Sequence, residues 1–241
     1  KLSVYLSPQI YKSIFSTTEE QSLKTQRKKL TIFFSDIKDF TETTERMQPE
    51  ELTTLLNEYF TEMSQIAEAH GATIDKFIGD AIVAFFGDPK TKGTTEDARA
   101  CVRMALDMQQ RLTDLGKVWN LKGLEHPFKA RMGINTGFCN VGNFGSNERM
   151  DYTIIGAEAN LAARLESIAE PGGIVLSYET YAHVRDIVDA EPSEPVSFKG
   201  IAREIIPYHI KVQAPAGDLS EALPGEEGDM LTVDLGALDE T

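Results

Sequence analysis

Thr73-Ile74-Asp75-Lys76-Phe77-Ile78-Gly79-Asp80-Ala81-Ile82-Val83-Ala84-Phe85-Phe86 reads as two short β-prone runs joined through Gly79-Asp80. A two-residue connection of this kind marks a β-hairpin. Working outward, both flanks turn helical. Upstream, residues 51–69 place Leu52, Leu55, Leu56, Tyr59, Phe60, Met63, Ile66 and Ala67 on one 3.6-residue stripe, with Pro49 before it and Gly71 just past its end. Downstream, residues 96–115 carry a second stripe of Val102, Ala105, Leu106, Met108 and Leu112. Further strands are expected at 30–35, within 128–141, ending at 152–155, at 174–177 and at 205–212, and further helices at 156–168 and 178–184. Strands and helices interleave around at least one hairpin, so the expectation is α/β or α+β with a mixed sheet.

Composition bounds the partners. The chain has 241 residues and a formal charge of −14, but residues 214–241 hold eight Asp or Glu and no Lys or Arg. The remainder carries 24 basic and 30 acidic residues, a balance that gives no electrostatic support for nucleic acid or anionic membranes. Cys101 and Cys139 are the only cysteines, too few for a disulfide framework, and a reducing, cytoplasmic compartment is expected. No apolar run approaches the roughly 20 residues a membrane span needs. The chain opens on Lys1 without a signal peptide, so it reads as a piece of something longer, from which an upstream sensor or membrane anchor is missing. Residues 1–28 are expected to be a linker with a short helix beginning near Ser7-Pro8, residues 29–212 the folded domain, and residues 213–241 an acidic, disordered tail.

Two carboxylates stand where apolar runs end. Phe33-Phe34-Ser35-Asp36-Ile37-Lys38-Asp39-Phe40-Thr41 delivers one, and Ile78-Gly79-Asp80 delivers another 44 positions later. Aspartates at strand ends or turns suit hard divalent cations, which take oxygen ligands and share them with substrate phosphates. Lys76, four residues before Asp80, adds a cation to what reads as a site for phosphate chemistry. Asn160 and Arg164 are four residues apart and can face one side of a helix. Each of these has a blander reading: a cap, a hairpin turn, a solvated helix face. The histidines, at 70, 126, 183 and 209, show no metal spacing.

Four segments in order now carry a resemblance. Phe34-Ser-Asp-Ile-Lys-Asp-Phe-Thr41, Lys76-Phe-Ile-Gly-Asp80, Arg131-Met-Gly-Ile-Asn-Thr-Gly137 and Tyr152-Thr-Ile-Ile-Gly-Ala-Glu-Ala-Asn160-Leu-Ala-Ala-Arg164-Leu, followed by Lys199-Gly200, resemble class III nucleotide cyclases. The resemblance implies an α+β sandwich with a ferredoxin-like βαββαβ core, a mixed and mainly antiparallel sheet, and a head-to-tail homodimer with shared active sites. It implies that Asp36, Asp80 and the Ile37 carbonyl hold two divalent cations, Mg²⁺ or Mn²⁺. Arg131 and Lys199 would bind triphosphate, as would the N–H groups of the segment turning into a helix at Phe40 and Thr41. Asn160 would hold the ribose, and Arg164 the charge developing on the α-phosphate. Asp36, Asp80 and Arg131 would come from one chain; Lys76, Thr153, Asn160, Arg164 and Lys199 from the other.

The base would be read by Lys76 and Thr153. A lysine has only donors, so it suits adenine N1 and not the N1–H of guanine, while Thr153 can accept from the 6-amino group. This favours an adenylate cyclase making 3′,5′-cyclic AMP and pyrophosphate from ATP. The alternatives are a guanylate cyclase and a catalytically silent dimerisation or nucleotide-sensing module. Such modules commonly lack a metal Asp or the transition-state Arg, and this chain has both. The threonine, where many adenylate cyclases have Asp, resembles a subgroup stimulated by bicarbonate. Asp39 stands where the family commonly has Gly, and its expected role is that of a solvated loop residue.

Overall fold

The computed structural model describes Ile10 and residues 25–211, apart from residues 46, 125, 147 and 149. The expected acidic tail lies outside the described residues, as does the lead-in helix save for a helical, buried Ile10.

The described chain runs β1 (Gln26–Ile37), α1 (Phe40–Glu45), α2 (Pro49–His70), β2 (Thr73–Ile78), β3 (Ala81–Phe86), α3 (Thr94–Leu121), β4 (Ala130–Gly145), β5 (Met150–Ile155), α4 (Ala157–Ser167), β6 (Ile174–Leu176), α5 (Tyr178–Val184), β7 (Ala190–Pro192) and β8 (Tyr208–Ile210). The sheet order is β2-β3-β1-β4-β6-β8-β7, with β5 pairing to the far half of β4. Taken as β1-α2-β2-β3-α3-β4, the first four strands lie in ferredoxin-like order. Among the described strands only the β4–β6 pair is parallel. The architecture is the α+β sandwich with a mixed, mainly antiparallel sheet that the resemblance implies.

Strand parity explains the layers. Side chains alternate along β1: Phe33 and Ile37 enter the core beneath α2 and α3, while Leu30 and Ile32 enter a second core that includes Ala159 and Ala162 of α4. Burial on both faces accounts for the run of buried residues from Leu30 to Phe33. In α2, Tyr59, Met63 and Ala67 are fully buried, and Leu52, Leu55, Leu56, Phe60 and Ile66 pack partly against them. Gly71 ends that helix at φ 85, and its N–H and that of Ala72 bond back to Glu68 and Ala67.

Several boundaries differ from expectation. β1 starts at Gln26 rather than residue 30, because Gln26 to Lys29 find ladder partners in Val141 to Phe138. Helix α3 continues to Leu121, and its buried set extends to Leu115 and Trp119, since its C-terminal turns still face the Phe128 end of the core. The last strand, β8, does not close the sheet. It sits between β6 and β7, and the edge is the three-residue β7, which has too little apolar pattern to read as a strand. β4 runs on past residue 141, because Asn143 to Gly145 pair with Tyr152 to Met150 of β5.

Candidate active site

Asp36 and Arg131 are direct cross-strand partners on β1 and β4. Both lie on the sheet face covered by α4, because their neighbours Ile37, Ala130 and Met132 point into the opposite core. The guanidinium meets the carboxylate as a fork: Nε donates to Oδ1 at 3.0 Å and Nη2 to Oδ2 at 2.6 Å. Such bidentate pairs are among the stronger charge-assisted contacts. Arg131 Nη1 also donates to the Ser167 carbonyl at 3.2 Å.

Asp80 joins from the hairpin turn. Gly79, at φ 61, turns the chain, and Asp80 Oδ2 accepts from the Ile37 N–H at 2.9 Å. The three residues expected to hold metal are therefore adjacent. Asp36 and Asp80 are hard oxygen donors, so the donor set fits a divalent cation that completes its shell with phosphate oxygens and water. Among the described residues no group of three or more His, Cys, Asp or Glu side chains could hold a metal by itself.

Glu166 is a neighbour that the motifs did not single out. Arg131 Nη2 approaches its Oε1 at 3.1 Å, an ion pair without the alignment of a hydrogen bond. Burial pushes the Glu166 carboxyl up to about 8, the adjoining Asp36 adds to the rise, and Arg131 opposes it. A signal was available: Leu161, Ala162, Leu165 and Glu166 share the buried face of α4, so the acid falls on an apolar stripe. On the other side of the sheet, the Ser35 hydroxyl and the fully buried Tyr59 phenol lie close together without an aligned hydrogen bond. Burial raises the Tyr59 phenol well above its ordinary value, Ser35 eases the rise, and Asp80 and Asp36 add to it.

Two glycines of the third motif explain how closely α4 approaches. A Cβ on Gly133 would stand 2.2 Å from the Glu166 nitrogen and 2.3 Å from the Ala162 oxygen; one on Gly137 would meet the Glu158 side chain at 2.6 Å. The helix thus rides on bare backbone. Asn135 ties it down, donating through Nδ2 to the Glu158 carbonyl at 3.0 Å and to its carboxylate at 2.7 Å.

The outer face of α4 carries Asn160 and Arg164, both exposed. Neither side chain bonds to another group among the described residues, and both point away from the face that bears Glu166. Lys199 is likewise exposed, in a turn with Gly200 at φ 90. No strand follows it directly, since β8 begins at Tyr208.

Lys76 and Thr153 meet beside a third residue. Thr153 Oγ1 donates to Asp75 Oδ2 at 2.8 Å, and Lys76 Nζ lies 3.6 Å from the same oxygen. Strand β5 is held in place nearby by a short hydrogen bond from the Tyr152 phenol to Asp88, which also pairs with Lys28.

Phe40 is turned inward, its ring edge-on to Phe128 at 6.2 Å. Thr41 is exposed. Asp39 adopts φ 53, a left-handed conformation that Asp tolerates better than most residues but that favours glycine. Its exposed carboxylate pairs with Lys38 at 2.7 Å. The backbone at this position, rather than metal chemistry, is what would favour glycine here.

The fold and these clusters define a nucleotide-cyclase type of domain. The model of the adenylate and guanylate cyclase catalytic domain family matches residues 23–212, and the chain belongs to that family. It is 33% identical over 198 residues to adenylate cyclase 1 of Rhizobium meliloti, covering 81% of this chain and 29% of that protein. It is 34% identical over 148 residues to an adenylate cyclase of Anabaena cylindrica, covering 61% and 28%. The chain therefore spans under a third of these curated relatives. Among solved structures, the adenylyl cyclase CyaB from P. aeruginosa is similar at a TM-score of 0.77 and 49% identity, over 80% of this chain and 98% of that one. The guanylyl cyclase Cya2 matches at 0.73 and 35%, over 77% and 93%. Among the described residues no helix is long and apolar enough to cross a membrane.

Proposed function

We propose that this domain converts ATP to 3′,5′-cyclic AMP and pyrophosphate at two equivalent composite sites in a head-to-tail homodimer. The observation that carries the reading is the division of the site within one chain. Asp36, Asp80 and Arg131 gather at one end of β1 and β4, whereas Asn160 and Arg164 project from the opposite face of α4 into solvent. A second copy supplies what the first turns away. Exposed Phe77 and Ile78 on the hairpin and Phe138, Met150 and Ile155 on β4 and β5 give that copy apolar surface to cover.

The residues act in sequence on the triphosphate. Lys76 donates to the purine and Thr153 accepts from it. Asn160 steadies the ribose so that its 3′-oxygen lies in line with the α-phosphorus. The 3′-oxygen then bonds to that phosphorus, the bridging bond to the β-phosphate breaks, pyrophosphate leaves, and the hydroxyl proton passes to solvent water. Arg164 meets the charge that grows on the α-phosphate oxygens, where a preorganised guanidinium lowers the barrier. Arg131 and Lys199 hold the leaving pyrophosphate, with α1's first N–H groups, at Phe40 and Thr41, as further donors. Because Arg131 grips Asp36 in this arrangement, it must share or release that carboxylate when substrate arrives. Two divalent cations, Mg²⁺ or Mn²⁺, held by Asp36, Asp80 and the Ile37 carbonyl would supply acidity at the 3′-hydroxyl and charge neutralisation at the phosphates.

Product analysis with ATP and GTP, each with Mg²⁺ and with Mn²⁺, tests the reading. Cyclic AMP as the main product is expected. Cyclic GMP as the main product would move it to guanylate cyclase, the activity in the name of Cya2; no cyclic product under any condition would make it a silent module.

A further inference from the structure

Asp75 is a buried carboxylate that the metal and phosphate chemistry leaves unused. Its side chain is 3% exposed. Burial raises its carboxyl above the ordinary aspartate value, Thr153 and Lys76 pull it back, and Asp151 adds to the rise. A buried carboxylate needs partners, and this one has Thr153 at 2.8 Å and Lys76 at 3.6 Å on the same oxygen. An irregularity in the β2–β3 ladder between Ile74 and Lys76 makes this possible. Consecutive strand residues ordinarily face opposite sides, and the extra residue of a bulge lets Asp75 and Lys76 serve one cluster.

The consequence lies in the proton of Thr153. A hydroxyl has one hydrogen and two lone pairs, and an ionised carboxylate can only accept. Thr153 therefore directs its hydrogen to Asp75 and keeps only lone pairs for a ligand. β-Branched and 7% exposed, it has little freedom besides hydroxyl rotation, and Asp75 removes that. Lys76 beside it is donor only.

Resting on the assignment of Lys76 and Thr153 as the purine contacts, we infer that Asp75 sets purine selectivity by fixing the Thr153 hydroxyl as an acceptor. The pair then matches adenine, whose N1 accepts and whose 6-amino group donates. It opposes guanine, whose O6 accepts and whose N1–H donates. Asp75 touches no substrate atom; it is a positioning residue.

The test uses the active homodimer and reads the preference for ATP over GTP as the KM for ATP against the inhibition constant of GTP for cyclic AMP formation. Asp75→Asn keeps the shape but can offer Thr153 a donor, freeing its hydrogen to turn outward. The preference for ATP should fall about tenfold, the effect of one mispaired hydrogen bond. Asp75→Ser, which withdraws the acceptor, should do the same and serves if the asparagine variant does not fold. In a Thr153→Val background Asp75→Asn should have no further effect on the ratio. A merely structural role would weaken both nucleotides together and leave the ratio unmoved. Where turnover is too low, displacement of methylanthraniloyl-ATP by ATP and by GTP reads the same ratio. A wild-type ratio in both Asp75 variants overturns the inference. Lys76→Ala separates it from the reading beneath: if that variant moves the ratio and the Asp75 variants do not, the purine contacts stand and the role of Asp75 falls. If Lys76→Ala leaves the ratio unmoved as well, the purine contacts themselves are misassigned.

Discussion

Gly133→Ala should disable the enzyme from beneath, without touching any residue assigned to substrate. The added methyl would stand 2.2 Å from the Glu166 nitrogen and 2.3 Å from the Ala162 oxygen, where ordinary contact begins near 3.4 Å. Both obstacles are helix backbone, so no side chain can swing aside. Helix α4 must lift by about 1 Å, at an overpacking cost of about 2–3 kcal/mol. For a domain of this size that corresponds to a fall of about 5–10 °C in the thermal midpoint. Arg164 and Asn160 ride on the same helix, and a displacement of about 1 Å at a reacting centre costs on the order of 100-fold in rate. Gly137→Ala is the internal control. The atoms nearest its methyl all belong to the Glu158 side chain, at 2.6 to 2.8 Å, and that chain can rotate away at the loss of its bond to Asn135. Its cost should stay near 1 kcal/mol. Thermal melts and cyclic AMP formation on both variants decide the matter. Wild-type stability and turnover in Gly133→Ala, or greater damage from Gly137→Ala, would refute the account of how α4 is seated.

Asp36→Ala and Arg164→Ala should each abolish cyclic AMP formation alone, yet mixing the two should restore one intact site per heterodimer. Absence of recovery between chains shown to exchange would contradict shared sites. Glu166→Gln should change how stability depends on pH in metal-free buffer. The Glu166 carboxyl is raised to about 8 in the fold, so the folded state holds a proton that the unfolded chain releases near pH 4–5, and wild-type stability falls as pH rises between those values. The variant lacks that loss, so its melting point relative to wild type should climb from about pH 5 to 8; a flat difference would show that the acid is not held protonated. Removing divalent cations with a chelator should stop turnover, and Mg²⁺ or Mn²⁺ should restore it, whereas activity that survives chelation would displace Asp36 and Asp80 from their assigned role. Bicarbonate added at fixed pH should raise turnover if Thr153 marks the responsive subgroup.

Most of the fold was legible because its signals are local. The stripe of α2, the β2–β3 hairpin and the short helix α5 appear where periodicity and turn residues place them. What escaped depends on partners distant in sequence. Gln26 to Lys29 are polar and become strand only because Val141 to Phe138 pair with them. The edge strand β7 has three residues and no pattern of its own.

At the site, the chemistry-bearing residues could be named one by one from their motifs, and Asp36, Ile37 and Asp80 do come together. Glu166 is marked in the sequence only by falling in the apolar stripe of α4, a signal that the motif bearing Arg164 two residues earlier does not contain. Asp75 gave no such sign, since regular strand alternation would turn it away from Lys76.

By itself, then, the sequence determined which elements form and which residue types are available: two carboxylates at chain reversals, a lysine beside one of them, a threonine ahead of a helix, an asparagine and an arginine one helical turn apart. Those follow from spacing, which a chain carries locally. Only the tertiary structure decided how they are partitioned and tuned. Cross-strand register set Asp36 against Arg131, a ladder irregularity brought Asp75 beneath Thr153, and the seating of α4 on Gly133 turned Glu166 inward and Arg164 outward. Contacts between residues scores of positions apart are chosen by packing, and packing is a property of the whole fold.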